Sequence, residues 1–330
     1  MSDDRSETIL GRRTIVSLPS DIGTQVASIL PAGAIFGLAA ISLHRPFRIL
    51  GLDPGLMFSA ASLSKLFIAA EVLRMVDAEE LRLDDSVRID PVNCVGDPNG
   101  LISRSRIDDL VANTRVTVEC LADAMLSNSS NTAANVLIDL VSRESINDNV
   151  IRRFGWSGSE VTRKFLPRGL EPESYRDAPP TLTCAQHVAE FFLLLEKAEL
   201  FGSFVSKEMI RRLENSRVDG SLSIGGQIFD SYYHKIGSLE VKGSNGPRRW
   251  QHDAGVARRD GRGVVLCALS CYLPENEASY FPLADVQRIV FESLLEGVDD
   301  AVIDQLSAHH SLVSSASSIR ADPASRSRVA

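Results

Sequence analysis

The stretch FSAASLSKLFIAAEVLR, Phe58 to Arg74, sets one lysine, Lys65, among small and apolar residues three positions after Ser62. Leu66, Phe67, Ala69, Ala70, Leu73 and Val76 recur at helical spacing, so Ser62 to about Val76 predicts a helix ahead of the turn-forming DAEELRLDD. If that helix starts at Ser62, the serine and the lysine emerge on one face, a turn apart. A serine hydroxyl is a weak nucleophile until a base takes its proton, and an amine can do so when burial and neighbouring positive charge lower its pKa. The helix N-terminus adds backbone N–H groups suited to an oxyanion. The plainer alternative makes Ser62 a helix cap and lets Lys65 reach outward along its alkyl stem.

Upstream, residues 1–20 are polar and read as a lead-in to a first helix near Asp21–Leu30. AIFGLAAISL and PFRILGL are β-rich runs that predict a hairpin of an antiparallel sheet, its first strand buried on both faces. Downstream, TVECLADAMLSNSSNTAANVLIDLVS (Thr117–Ser142) is helical but broken midway by polar, turn-forming residues. TLTCAQHVAEFFLLLEKAELF (Thr181–Phe201) predicts another helix with Thr183 as N-cap. DSYYHKIGSLEV, RRWQHDAGVARR and GRGVVLCALSCYL read as a three-stranded meander, followed by a closing helix in PLADVQRIVFESLLEGV. Strands, then helices, then strands imply an α+β fold: an antiparallel sheet flanked by helices, plus an all-helical lobe. The expected divisions are a lead-in over 1–20, one domain over 21–306 and a Ser-rich, mobile tail over 307–330. Within the domain, 21–76 and 202–306 form the α/β lobe and 77–201 the helical lobe.

The composition excludes several function classes. Of 330 residues, 44% are hydrophobic and 24% charged, as in ordinary globular chains. Basic residues number 35 and acidic ones 43, a net charge of −8 with no block of Lys and Arg, which argues against a nucleic-acid or anionic-membrane surface and for a small-molecule partner. The longest apolar run, Ile29–Leu43, is too short to span a bilayer, and the opening residues build no secretory pattern, so a cytoplasmic location is expected. Cys94, Cys120, Cys184, Cys267 and Cys271 are scattered without a Cys-x-x-Cys pair and read as reduced thiols. His44, His187, His309 and His310 share no metal-like spacing, so neither a metal nor another cofactor is expected. The oligomeric state is not legible.

Two further clusters join Ser62 and Lys65. Ser129-Ser130-Asn131 falls in the polar break of the second helical region, and Lys235-Ile236-Gly237-Ser238 lies on a predicted strand, where Gly237 admits a substrate close to the backbone. The three elements in this order resemble the signatures of the serine β-lactamase and penicillin-binding-protein superfamily, Ser-x-x-Lys, Ser-Asp-Asn and Lys-Thr-Gly. The text is most similar to class A β-lactamases and covers roughly residues 20–300. The resemblance implies a site between the sheet and the helical lobe, and a serine hydrolase that forms an acyl-enzyme on an amide, lactam or ester. By the same resemblance Ser62 is the acylated nucleophile and Lys65 its activating amine. Ser129 passes a proton to the leaving nitrogen, Asn131 binds a substrate amide, and Lys235 attracts an acidic substrate. The N–H groups of Ser62 and Ser238 form the oxyanion hole.

The chain departs from that pattern in three places. Ser130 replaces the Asp of the second motif, removing a carboxylate that helps fix the loop. Ile236 replaces the Thr of the third, and a lost hydrogen bond to a charged group is worth about 1.5–3 kcal/mol, roughly tenfold or more in affinity. In RGLEPESYRDAPPTLT, Glu171 stands where class A enzymes carry the base that activates the deacylating water, with Glu173 beside it, but the loop up to Asp177 is shorter than the family's. Glu171 is therefore either that base or a solvated loop carboxylate. His252 and Asp253 are neighbours on a strand and face opposite ways, so they do not form a pair. His252 or Arg249 is a candidate to meet a substrate carboxylate, with a structural histidine as the alternative, and His234 belongs to the outer face. Two other functions remain open: a repurposed cytoplasmic esterase, amidase or transacylase, and a binding protein that has lost turnover.

Overall fold

A computed structural model describes residues 14–44, 48–95, 110–216, 229–243, 246–274 and 281–295. The strands are β1 (Thr14–Ser17), β2 (Ile35–Ser42), β3 (Arg48–Leu52), β4 (Met57–Ser59), β5 (Ser86–Arg88), β6 (Arg115–Thr117), β7 (Leu182–Cys184), β8 (Ser231–Gly243), β9 (Gly246–Arg259) and β10 (Arg262–Tyr272). The longer helices are α1 (Ser20–Ile29), α2 (Ser64–Asp77), α3 (Val118–Ser127), α4 (Asn131–Val141), α5 (Ala185–Glu196), α6 (Ser203–Glu214) and α7 (Leu283–Leu295). The main sheet runs β1-β3-β2-β10-β9-β8, antiparallel throughout except that β1 lies parallel to β3. The hairpin and the C-terminal meander form as expected.

Alternation along the strands builds two cores. Phe36, Leu38 and Ala40 of β2, with Val264, Leu266 and Ala268 of β10, face a layer that includes Ile22 and Val26 of α1 and Val286 and Val290 of α7. Ala39, Ile41, Val265, Cys267 and Leu269 point the other way, into the core shared with α2, α4 and α5. Both faces of the central strands are covered, which is why they read as unbroken apolar runs. Edge strand β8 is left to border the helical lobe, where α2 packs on α3, α4 and α6. Among the described residues no helix is long and apolar enough to cross a membrane.

Several expectations are corrected. The polar lead-in over 1–20 includes a strand, Thr14–Ser17, recruited by the free edge of β3. Thr183 does not cap a helix: Leu182–Cys184 pairs with β4, α5 starts at Ala185, and the Thr183 hydroxyl lies 3.0 Å from the Ser159 hydroxyl. The expected boundary at 201 put α5 in the helical lobe, yet α5 packs on β2, β9 and β10, and Val188, Ala189 and Phe191–Leu195 are all buried. The amphipathic pattern of this helix shows that one face is buried but not which lobe buries it. The tail over 307–330 lies outside the described residues.

Candidate active site

The nucleophile stretch enters the cleft as a tight turn rather than as the first turn of an α-helix. Ala61–Leu63 is 3₁₀, closed by the Leu63 N–H donating to Ala60 O at 2.9 Å, and α2 begins at Ser64. Strand β4 fixes the approach through its pairing with β7, and the Ala60 N–H donates to Thr181 O at 2.9 Å. Ala61 has φ +45° and Ser129 φ +58°, left-handed conformations that cost a non-glycine residue about 1–3 kcal/mol and persist only where their surroundings impose them. Ala61 immediately precedes Ser62, and Ser129 contacts the Lys65 amine.

Lys65 is fully buried, and its Nζ lies 3.2 Å from Ser62 Oγ, 2.5 Å from Ser129 O, 3.2 Å from Ser129 Oγ and 2.7 Å from Asn131 Oδ1. The two shortest contacts, to Ser129 O and Asn131 Oδ1, hold the amine beside the Ser62 and Ser129 hydroxyls. Lys235, also fully buried, reaches across from β8 and donates to Ser129 Oγ at 2.9 Å and to Ile236 O at 3.2 Å. The Ser129 hydroxyl thus stands between two amines, one from each side of the cleft.

Local sequence explains the placement. Thr117 caps α3 by accepting from the Cys120 N–H, and Ser130 caps α4 by accepting from the Ala133 N–H at 2.9 Å. Ser130 therefore fixes the loop with a hydroxyl where the superfamily motif has a carboxylate, and Ser129 projects from the linker between the two helices. Gly237 is opposite His252 in the β8–β9 register, and a Cβ there would come within 3.2 Å of the His252 ring and 3.4 Å of Ala61 Cβ. A side chain at this position would have to displace the His252 ring by a few tenths of an ångström.

A family model described as "Beta-lactamase enzyme family" matches residues 25–290. The chain belongs to that family. No curated protein matches it by sequence. Among solved structures, PBP-A has a TM-score of 0.69 at 17% identity, over 85% of this chain and 98% of that one. A β-lactamase from Sphaerobacter thermophilus DSM 20745 has a TM-score of 0.68 at 23% identity, over 83% and 96%. A variant of the last common ancestor of Gram-negative bacteria class A β-lactamase has a TM-score of 0.67 at 20% identity, over 84% and 99%. These likenesses establish the fold.

Within this member of the family, Ser62, Lys65, Ser129, Asn131 and Lys235 come together, and Gly237 borders the nucleophile turn with exposed Ser238 next along β8. Glu171 does not behave as either alternative. Its carboxylate is buried, with Oε2 2.7 Å from Arg143 Nη2 and Oε1 accepting from the Lys164 N–H at 2.6 Å, so it is neither solvated nor open to a water. What overlies Lys65 is Phe165, with Nζ 4.5 Å from the ring centroid. Asn135 clamps the Phe165 backbone, accepting its N–H at 2.7 Å and donating to its carbonyl at 3.4 Å.

His252 has no ring nitrogen for a substrate. Nε2 lies 2.8 Å from Ser59 O and Nδ1 accepts from the Ser270 N–H at 3.3 Å, while burial pushes the ring's pKa down to about 4. Arg249 is held by Glu240 at 2.5 Å. His234 faces away from Lys235 as expected, and there it is buried against Asp253 at 2.7 Å. Arg143 and Phe165 carried no motif in the sequence; the one available sign was a basic residue, Arg143, bordering an apolar helix. Among the described residues no group of three or more His, Cys, Asp or Glu side chains is placed to hold a metal ion.

Proposed function

We propose that the chain is a serine acyl-transfer enzyme with Ser62 as nucleophile, acting on an amide, lactam or ester of an acidic small molecule. The observation that carries this reading is the buried Lys65 amine 3.2 Å from Ser62 Oγ, joined through the Ser129 hydroxyl to the second buried amine of Lys235. Neutral Lys65 takes the Ser62 proton as Oγ attacks the carbonyl carbon. The resulting oxyanion is held by the N–H groups of Ser62 and Ser238. As the C–N or C–O bond breaks, Ser129 gives its proton to the departing atom and is resupplied from Lys65. Lys235 supplies the positive charge that draws an acidic substrate, and Ile236 offers no hydroxyl beside it.

Acylation outpaces deacylation in this reading. Hydrolysis of an acyl-enzyme needs a base beside the water, and Glu171 is committed to Arg143 and the Lys164 N–H while an apolar ring covers Lys65. A variant of the structurally similar PBP-A has been solved as an acyl-enzyme with penicillin G. Intact mass spectrometry during incubation with penicillin G tests the proposal. A single adduct that forms within minutes, persists for hours and is absent in Ser62→Ala is expected. No adduct, together with penicillin binding that Ser62→Ala leaves unchanged, would make the chain a binding protein instead.

A further inference from the structure

The proposed oxyanion donors belong to different elements: the Ser62 N–H to the 3₁₀ turn and the Ser238 N–H to edge strand β8. No covalent link or shared strand sets their separation, and the turn is held in a left-handed conformation at Ala61. The side chain that reaches the neighbours of both is His252, through Ser59 O ahead of the turn and Gly237 next to Ser238. Its ring is 1% exposed, and each ring nitrogen is hydrogen-bonded. The Ser270 N–H can only donate, so Nδ1 is the acceptor, the proton sits on Nε2, and Nε2–H donates to Ser59 O, just ahead of the turn. The same ring meets β8 at Gly237, one residue before Ser238, at the point where Gly237 also meets Ala61. Phe58 closes it from the side, edge to face at 6.0 Å.

We infer that His252 is a positioning residue that sets the distance between the Ser62 and Ser238 N–H groups; this rests on the acyl-enzyme reading above. One hydrogen bond ties the ring to the strand leading into the nucleophile turn. Its opposite nitrogen anchors it to β10, and its edge sets how closely β8 approaches. The ring does not touch substrate, so its removal leaves ground-state binding alone and weakens the tetrahedral stage, where both donors must converge on one oxygen.

The test uses the full chain and two readouts beyond stability. One is the acylation rate constant of Ser62 with penicillin G, separated from the dissociation constant of the preceding non-covalent complex. The other is the affinity for phenylboronic acid, which adds reversibly to a serine hydroxyl as a tetrahedral adduct. His252→Phe keeps the ring volume and removes both hydrogen bonds; His252→Gln offers an amide donor and acceptor in their place. In His252→Phe both the rate constant and the boronate affinity are expected to fall at least about tenfold, short of the roughly hundredfold or more that follows loss of an oxyanion donor. The non-covalent dissociation constant stays within about twofold, and His252→Gln recovers most of the loss.

A folded His252→Phe with wild-type acylation and boronate binding would overturn the inference and make the ring mere core filling. Should His252→Phe not fold, Gly237→Ala decides, because its methyl comes within 3.2 Å of the ring from the β8 side. Boronate affinity reduced about tenfold supports the inference and unchanged affinity overturns it. Wild-type protein that neither labels with penicillin nor binds the boronate removes the acyl-enzyme reading itself, whereas labelled wild type with unaffected variants removes only the role of His252.

Discussion

Replacing Glu171 separates a catalytic carboxylate from a structural one. In Glu171→Ala the Arg143 guanidinium, its side chain 8% exposed, and the buried Lys164 N–H lose their shared acceptor at once. Leaving one member of a buried ion pair alone costs about 3–5 kcal/mol. A kilocalorie lowers Tm by roughly 2–4 °C in domains of 150–250 residues, so a fall on the order of 10 °C is expected. Glu171→Gln retains an acceptor for the Lys164 N–H but not the charge, and falls between the two. Thermal unfolding measures these losses, and intact mass with penicillin G measures adduct formation and decay on the same samples at a temperature where each variant is folded. Both variants are expected to form the Ser62 adduct. Because Glu171 anchors the backbone beside Phe165, decay in the variants is no slower than in wild type. A Glu171→Gln protein with unchanged Tm whose adduct decays at least about tenfold more slowly would refute the reasoning, since that is the signature of a missing general base.

Phe165→Glu sets a carboxylate over Lys65 and is expected to speed adduct decay by about tenfold or more, followed by the same mass time course. Ser130→Ala loses the α4 cap and about 1 kcal/mol in chemical denaturation, whereas Ser130→Asp, another capping residue, stays within a few tenths of wild type. His252 has a folded pKa near 4 against 6.5 unfolded, because burial disfavours the charged ring. Its neutral form is present in both states above pH 6.5, so its destabilising effect grows as pH falls through that value and levels off below about 4, a total of about 3 kcal/mol at 1.36 kcal/mol per pKa unit. Denaturation between pH 7 and 4 should show a shallower decline in His252→Gln than in wild type.

The parts of the fold legible in the sequence are those with a strong local period or a motif. The unbroken apolar runs of β2 and β10, the helical spacing after Ser62 and the polar break at Ser129 each follow from geometry within a few residues. Ser62 and Lys65 were readable from their spacing on one helix face, whereas Ser129 and Lys235 were readable through the resemblance of their motifs to those of the superfamily. Glu171 misled because the same EPE text serves a base or an ion pair, and the choice depends on Arg143, 28 residues away in the chain. Phe165 gave no sign, since an aromatic residue in a loop looks the same whether it fills the core or covers an amine. His252 was readable as facing away from Asp253, but its partners, Ser59 O and the Ser270 N–H, are backbone atoms that no sequence pattern identifies.

The account stands on a reactive hydroxyl at Ser62. Peptide mapping after treatment with a fluorophosphonate, compared between wild type, Lys65→Ala and Ser62→Ala, measures that reactivity directly. Phosphonylation confined to the Ser62 peptide is predicted in wild type, sharply reduced in Lys65→Ala and absent in Ser62→Ala. Modification at another serine, or an unmodified Ser62 in folded wild-type protein, would contradict it.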